Sequence, residues 1–310
     1  MEKKTLKHLI IGGSISVLAL ASAVLSFVNL SDAKGGTSKS KEWMKDVEGT
    51  KFISQLSIPG THDSGALYSI GDVAGKCQDL SIAKQLDNGA RFLDIRLELK
   101  AGQLKVVHGI VDERDTFSNV VDVCHNFLKN HNSETIIMSV KEENLAEKGE
   151  FVKAVEKEID KNKDLWYLTG DIPTLEQVRG KIVLFSRYEG SNYGVSLFQG
   201  WSKSGVFDLN VGTSVYHIQD FFSLENVESK WDKAKECLEF TTANILPNVY
   251  TINFMSGYLD SGFPPSYSVP VAKYINKQAK DNIPNYSNTG TVLFDFISED
   301  LAQVVYARNF

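Results

Sequence analysis

The stretch Ile58-Pro59-Gly60-Thr61-His62-Asp63-Ser64 carries the pattern from which the fold is read. An apolar run over residues 52–58 meets a Pro-Gly break, and a histidine and a carboxylate follow directly. The same arrangement, a short apolar run ending near a polar residue capable of chemistry, recurs at 91–97, 104–107, 135–140, 181–185, 215–218, 249–254 and 291–296. These eight runs, rich in Val, Ile and Phe, read as strands. Segments 117–129, 149–159 and 224–238 have helical spacing and lie in gaps between them. Near-continuous apolar strands alternating with helices predict a parallel sheet covered on its outer face.

Eight such strands predict an α/β fold, a single irregular (β/α)8 TIM-type barrel over residues 43–310. The irregularity is expected early. Only Lys100-Ala101-Gly102-Gln103 separates the second and third runs, and a parallel crossover needs about a dozen residues. A hairpin-like arm or a missing helix is expected there.

Before the barrel, Lys3, Lys4 and Lys7 precede an apolar run from Leu9 to Leu30. This reads as an export signal over 1–33, with small residues for cleavage at Ala21-Ser22-Ala23 or Ser31-Asp32-Ala33. The run is also long enough for one uncut membrane anchor. Cleavage is the favoured reading, and either one places the barrel outside the cytoplasm. Residues 34–42 read as a polar linker. The 310 residues, 42% hydrophobic and 23% charged, suffice for one large core. A net charge of −6 argues against nucleic acid as a partner. The three cysteines, Cys77, Cys124 and Cys237, make no disulfide framework, though one pairing stays open. Cys124-His125 reads as a helix position with a buried thiol, since no second ligand pair lies at metal spacing.

Barrels keep their chemistry at strand ends. Here those ends offer His62 and Asp63, Asp94 and Arg96, His108, Lys141, Arg187, Asp220 and Asp295. Charges gathered there are poorly explained by core packing, because a buried charge is expensive unless paired. Two histidines and an arginine suit phosphoryl transfer: one imidazole takes a proton, the other gives one, and the guanidinium holds charge on phosphorus. For Asp63, a catalytic role and the capping of a following helix stand level on pattern alone. Asp94 and Arg96, two apart on a strand, share a face and are expected to pair. Asp295, between Phe294 and Phe296, calls for a cationic partner such as a histidine. His125, His131 and His217 read as structural.

Taken together, residues 58–64, Ala90-Arg91-Phe92-Leu93-Asp94-Ile95-Arg96, Val107-His108-Gly109, 133–141 and 180–187 resemble bacterial phosphatidylinositol-specific phospholipase C from about Trp43 to the C-terminus. The resemblance implies an irregular barrel and cleavage of phosphatidylinositol to diacylglycerol and inositol 1,2-cyclic phosphate. It implies His62 as general base oriented by Asp295, His108 assisted by Asp63 as general acid, and Arg96 supported by Asp94 on the phosphoryl oxygens. Lys141, Arg187 and Asp220 match inositol-binding positions. No metal or other cofactor is expected, because calcium-dependent relatives carry an acidic ligand where this chain has Arg96. A monomer acting at a membrane on phosphatidylinositol, free or glycosylated, is the expected form.

Two departures stand out. Phe222 occupies a position where the family usually places a tyrosine that stacks on inositol, so a ring face is kept and a hydroxyl lost. Residues 71–77 carry no bulky apolar anchor where the family often shows a tryptophan on a membrane-facing helix. The aromatics Trp201, Phe207, Tyr258, Phe263 and Tyr267 are alternative membrane contacts or simple loop packing. Competing readings are a glycerophosphodiester-type barrel phosphodiesterase and a non-catalytic inositol-lipid-binding barrel. The first relies on carboxylate metal ligands near the first histidine, and Arg96 argues against it.

Overall fold

The computed structural model describes residues 36–69, 75–144, 149–201, 204–260 and 268–310. The proposed signal and the segment leading into Cys77 therefore fall wholly or largely outside the described residues, as do Phe263 and Tyr267. Among the described residues there are fourteen strands: β1 Ile58–Thr61, β2 Phe92–Lys100, β3 Gln103–His108, β4 Val111–Thr116, β5 Ile136–Asn144, β6 Trp166–Tyr167, β7 Ile182–Arg187, β8 Val195–Ser196, β9 Gly205–Val211, β10 Ser214–Asp220, β11 Ser223–Leu224, β12 Val249–Phe254, β13 Tyr258–Leu259 and β14 Thr291–Phe294. The main sheet runs β6-β7-β5-β2-β1-β14-β12-β10-β9. Every pairing along that path is parallel except β9 with β10.

The sheet curls because its inner face must be buried. Phe92, Ile137, Val183 and Phe185 point to one apolar cluster, while Leu93, Met138 and Leu184 point to another on the opposite face. Phe185 on β7 meets Tyr216 on β10 at 5.7 Å and Tyr250 on β12 at 5.1 Å, ring centroid to centroid. Those strands lie towards the far end of the hydrogen-bonded order, so the contact spans the interior of a barrel. Outside, helices Phe117–Asn130 and Glu150–Asp160 bury Val120, Val121, Phe151 and Val155 against the outer cluster. Helix Val227–Ala243 packs on β10 and β12. All three lie where helical spacing was read.

The expected irregularity is an antiparallel arm. β2 turns through Ala101 and Gly102 into β3, and β3 turns into β4, both pairings antiparallel. No helix separates them, as the short connection demands.

The first strand departs from the sequence reading. Residues 53–55 form a 3-10 turn, and β1 begins only at Ile58 and passes through Pro59 and Gly60. The Pro-Gly pair is therefore inside the strand and does not end it. Ile58 donates to Gly290 on the β14 side, so the Pro59 nitrogen faces β2, whose pairing starts only at Gly60. The missing donor leaves no partner unsatisfied. A Cβ on Gly60 would lie 2.7 Å from Phe92 Cβ and 2.8 Å from its carbonyl oxygen, so only glycine lets these strands approach. The two-residue β6 is too short to leave a sequence signal.

Candidate active site

Three neighbouring parallel strands set a row of cations. Arg96 on β2 is in register with Lys141 on β5, and Lys141 with Arg187 on β7. Beside that row, His62 follows β1 and Asp295 follows β14, held side by side because His62 N donates to Phe294 O. Gln78 reinforces the junction by donating to both the His62 and Phe294 carbonyls at 2.8 Å.

His62 Nδ1 lies 2.8 Å from Asp295 Oδ1, and its Nε2 lies 2.7 Å from Arg96 Nη2. The carboxylate can only accept and the guanidinium can only donate. The proton is therefore on Nδ1, and the Nε2 lone pair faces the site. Burial, the largest single influence, disfavours the imidazolium. The Asp295 charge and hydrogen bond oppose burial, and the pKa settles above the ordinary histidine value, with Arg96 pulling the other way.

Asp63 takes a left-handed backbone, φ 43°, and residues 62–69 form no helix. Its capping role is thereby overturned. The turn instead buries the carboxylate between cations: Oδ2 lies 3.4 Å from Arg96 Nε and 3.4 Å from His108 Nε2. Burial pushes the Asp63 pKa up against the pull of Arg96 and His108. His108 Nδ1 donates to Gly75 O at 2.5 Å, which fixes the ring with Nε2 towards Asp63.

Asp94 is fully buried and shared. Its Oδ2 takes Arg96 Nε and Nη2 at 3.3 and 3.2 Å, and its Oδ1 takes Arg187 Nη1 at 3.3 Å. Burial resists its charge, yet the two arginines hold the carboxyl well below its usual range. Burial also opposes the Arg96 charge, but Asp63 and Asp94 hold its pKa well above the ordinary arginine value. Arg187 stacks 3.6 Å from the Trp201 ring centroid, and Trp201 Nε1 donates to Asp220 Oδ2 at 3.1 Å. Lys141 pairs with Glu143 Oε2 at 2.5 Å, while Glu143 Oε1 lies 3.8 Å from Arg96 Nη1. Burial lowers the Lys141 pKa, with Arg96 adding to the effect.

Nine of the ten candidate residues thus form one continuous set of contacts. Phe222 stands beside it: its ring packs on Tyr258 at 5.9 Å, at the rim. Three further residues belong to the set. Glu143 follows Lys141 by two residues on β5, Trp201 sits in a loop whose aromatics read as membrane contacts or as simple packing, and Gln78 carries no motif. Cys124 and Cys237 are buried and free, as is Cys77, so the open pairing is not formed. His131 pairs with Glu42, and His217 pairs with Asp208 and stacks on Phe240, away from the site.

Residues 56–188 match the phosphatidylinositol-specific phospholipase C, X domain. A 1-phosphatidylinositol phosphodiesterase of Staphylococcus aureus is 30% identical over 288 residues, covering 85% of this chain and 91% of that protein. The chain belongs to the phosphatidylinositol-specific phospholipase C family. Its relative in Listeria monocytogenes, also a 1-phosphatidylinositol phosphodiesterase, is 30% identical over 286 residues and covers 87% of this chain. A solved Staphylococcus aureus phosphatidylinositol-specific phospholipase C, from work on its membrane binding, superposes with a TM-score of 0.78 at 24% identity over 87% of this chain and 98% of that one. The Listeria monocytogenes enzyme superposes at 0.74, with 24% identity, over 87% of this chain and 99% of that one. These superpositions place the fold among the bacterial phospholipase C barrels.

Proposed function

We propose that this protein cleaves phosphatidylinositol to diacylglycerol and inositol 1,2-cyclic phosphate, using its own side chains and no metal. The observation that carries the reading is the opposite poise of two imidazoles about one guanidinium. His62 keeps its proton on Nδ1 against Asp295 and its Nε2 lone pair on Arg96, whereas His108 turns Nε2 to the Asp63 carboxylate.

In this reading His62 Nε2 removes the proton from the inositol 2-hydroxyl, and that oxygen attacks phosphorus in line. The Arg96 contact with Nε2 must open first, and the guanidinium turns to the phosphoryl oxygens, where charge builds. Asp94 keeps Arg96 oriented through both movements. His108, protonated against Asp63, gives its Nε2 proton to the diacylglycerol oxygen as the P–O bond breaks. With roles exchanged, the same pair admits water and opens the cyclic phosphate slowly. Lys141, Arg187 and Asp220 present charged partners to the ring hydroxyls, and Trp201 locks Arg187 and Asp220 in place. All these groups come from one chain, so a monomer suffices.

The membrane is met at the rim. Ile110, at the turn between β3 and β4 directly after His108-Gly109, is 90% exposed, and Tyr258 is 37% exposed. Residues 1–33 export the barrel to the face where it meets lipid, and the N-terminus of the secreted protein, determined by sequencing, tests where cleavage falls.

The purified protein, incubated with phosphatidylinositol and a chelator, should give the phosphorus NMR signal of inositol 1,2-cyclic phosphate. Activity abolished by the chelator and restored by calcium would overturn the metal-free mechanism. Release of glycerophosphate-type products would favour the other barrel phosphodiesterases.

A further inference from the structure

Cys77 lies beneath the two histidines, and nothing in the proposed reaction uses it. Its Sγ, one carboxylate oxygen of Asp63 and a ring nitrogen of His108 all lie within 4.8 Å of one another. Cys77 is 3% exposed and free. Tetrahedral zinc holds such ligand atoms roughly 3.3–3.8 Å apart, so closing each pair needs at most about 1.5 Å of movement.

Two independent features point to a ligand here. Neither oxygen of Asp63 completes a hydrogen bond, although the side chain is only 1% exposed. Its Oδ2 has only ion-pair contacts with Arg96 and His108, both at 3.4 Å, so a buried carboxylate with no completed hydrogen bond is open to a further ligand. The second feature is the arrangement of His108. Its Nδ1–H donates to the Gly75 carbonyl, so Nε2 is the nitrogen left to bind a metal once its proton leaves, and it lies 3.4 Å from Asp63 Oδ2. A histidine whose other nitrogen is anchored to a backbone carbonyl is oriented as metal-binding histidines are.

A second set, His62, Cys77 and Asp295, is equally compact. It is the poorer site, because His62 Nδ1 is held by Asp295 and Nε2 by Arg96, so neither nitrogen is free.

We propose that Asp63, Cys77 and His108 form an inhibitory site for zinc, with a fourth position open towards the substrate pocket. Binding takes the thiol proton of Cys77 and the Nε2 proton of His108 into solvent and forms a Zn–S and a Zn–N bond. The protons of the Cys77 thiol and of His108 Nε2 leave as the ion's two charges enter, so no net charge is added beside Arg96. Zinc on Nε2 removes the nitrogen that His108 would use to protonate the leaving oxygen. The loss of activity rests on that assignment of His108, whereas the binding site rests on geometry alone.

Two readouts separate them. Cobalt(II) titrated into the chelator-treated protein should produce the near-ultraviolet thiolate-to-metal charge-transfer band, and zinc should displace it. Zinc should inhibit phosphatidylinositol cleavage, and a chelator should restore it. Losing a mere hydrogen-bond partner of a metal ligand costs about 10–100-fold in affinity, so Cys77→Ala should raise the half-inhibiting zinc concentration by at least about 100-fold. The variant should keep its activity in chelator and lack the cobalt band, and Cys77→Ser serves if Ala leaves a harmful cavity. A wild-type protein without the band, or zinc inhibition unchanged in both variants, would overturn the site. A band without phosphatidylinositol turnover would uphold the site and count against the proposed function instead.

Discussion

Arg96 Nη2 lies 2.7 Å from Nε2 of His62, so the arginine occupies the lone pair that the proposed reaction needs. The same guanidinium is clasped by Asp94 at 3.2 Å and approached by Asp63 at 3.4 Å. A free enzyme in this state holds its base neutral and covered. In the proposed reaction, substrate phosphate would draw the guanidinium away from His62 and free the base at the moment it is required.

Replacing Arg96 tests both duties. Arg96→Gln should lower kcat by roughly 10²–10³, the usual loss when a group that stabilises transition-state charge is removed. It should also move the acid limb of the kcat/KM profile to higher pH, because Arg96 is one of the influences lowering the His62 pKa. Arg96→Lys should recover only part of the rate, since an ammonium cannot reproduce the fork that meets Asp94.

Asp295→Asn should shift the same limb the other way. The folded protein holds the His62 pKa above its ordinary value, and Asp295 opposes burial in doing so. The base works only when deprotonated, so activity falls as pH drops through that raised pKa. Without the carboxylate the pKa falls and the limb moves to lower pH. The maximal rate should still drop by about 10²–10⁴, because the imidazole loses its tautomer and its stabilised cation. Steady-state kinetics across the pH range reads both effects, and a limb that stays put would separate His62 from Asp295.

Below the sheet, Arg91 and Glu134 form a fully buried pair with contacts of 2.9–3.0 Å. Arg91 also donates to the carbonyls of Ser40, Lys41, Leu86 and Ala90, tying the N-terminal segment to the barrel. Glu134→Ala leaves that guanidinium without its counter-charge and should cost about 3–5 kcal/mol of stability. Urea denaturation measures this, and the pH profile of the surviving enzyme should be unaltered.

Ile110 stands 90% exposed beside the site. Moving an isoleucine into an apolar phase is worth about 1.5–3 kcal/mol, roughly 10–100-fold in partition. Ile110→Asp should weaken vesicle binding by that order and slow turnover on vesicles, while a soluble monomeric substrate is cleaved as before. Equal loss on both substrates would assign Ile110 to the site itself.

Much of the architecture was legible because a parallel strand buried on both faces leaves a continuous apolar run, and seven of the eight runs mark parallel strands of the barrel. The eighth, at 104–107, is the antiparallel β3 that the short Lys100–Gln103 connection required. The boundary of β1 was not legible. Pro59 and Gly60 ordinarily end strands, and only their neighbours Gly290 and Phe92 show why they do not. His62, Arg96 and His108 were legible because each ends an apolar run. The partners were less so. Asp63 looked equally like a helix cap, but its backbone is left-handed and residues 64–69 after it form no helix. Glu143, Trp201, Gln78 and Cys77 reach the site only through folding, and no local spacing announces them.

The central claim is the division of labour between the two histidines, and leaving-group dependence tests it most directly. Compare cleavage of phosphatidylinositol with that of an inositol phosphodiester whose leaving group is a nitrophenolate, which needs no proton. His108→Ala should be nearly inactive on the lipid and regain most of its rate on the nitrophenyl ester. His62→Ala should be inactive on both, because the attacking hydroxyl still needs a base. Rescue of His62→Ala, or failure to rescue His108→Ala, would contradict the assignment.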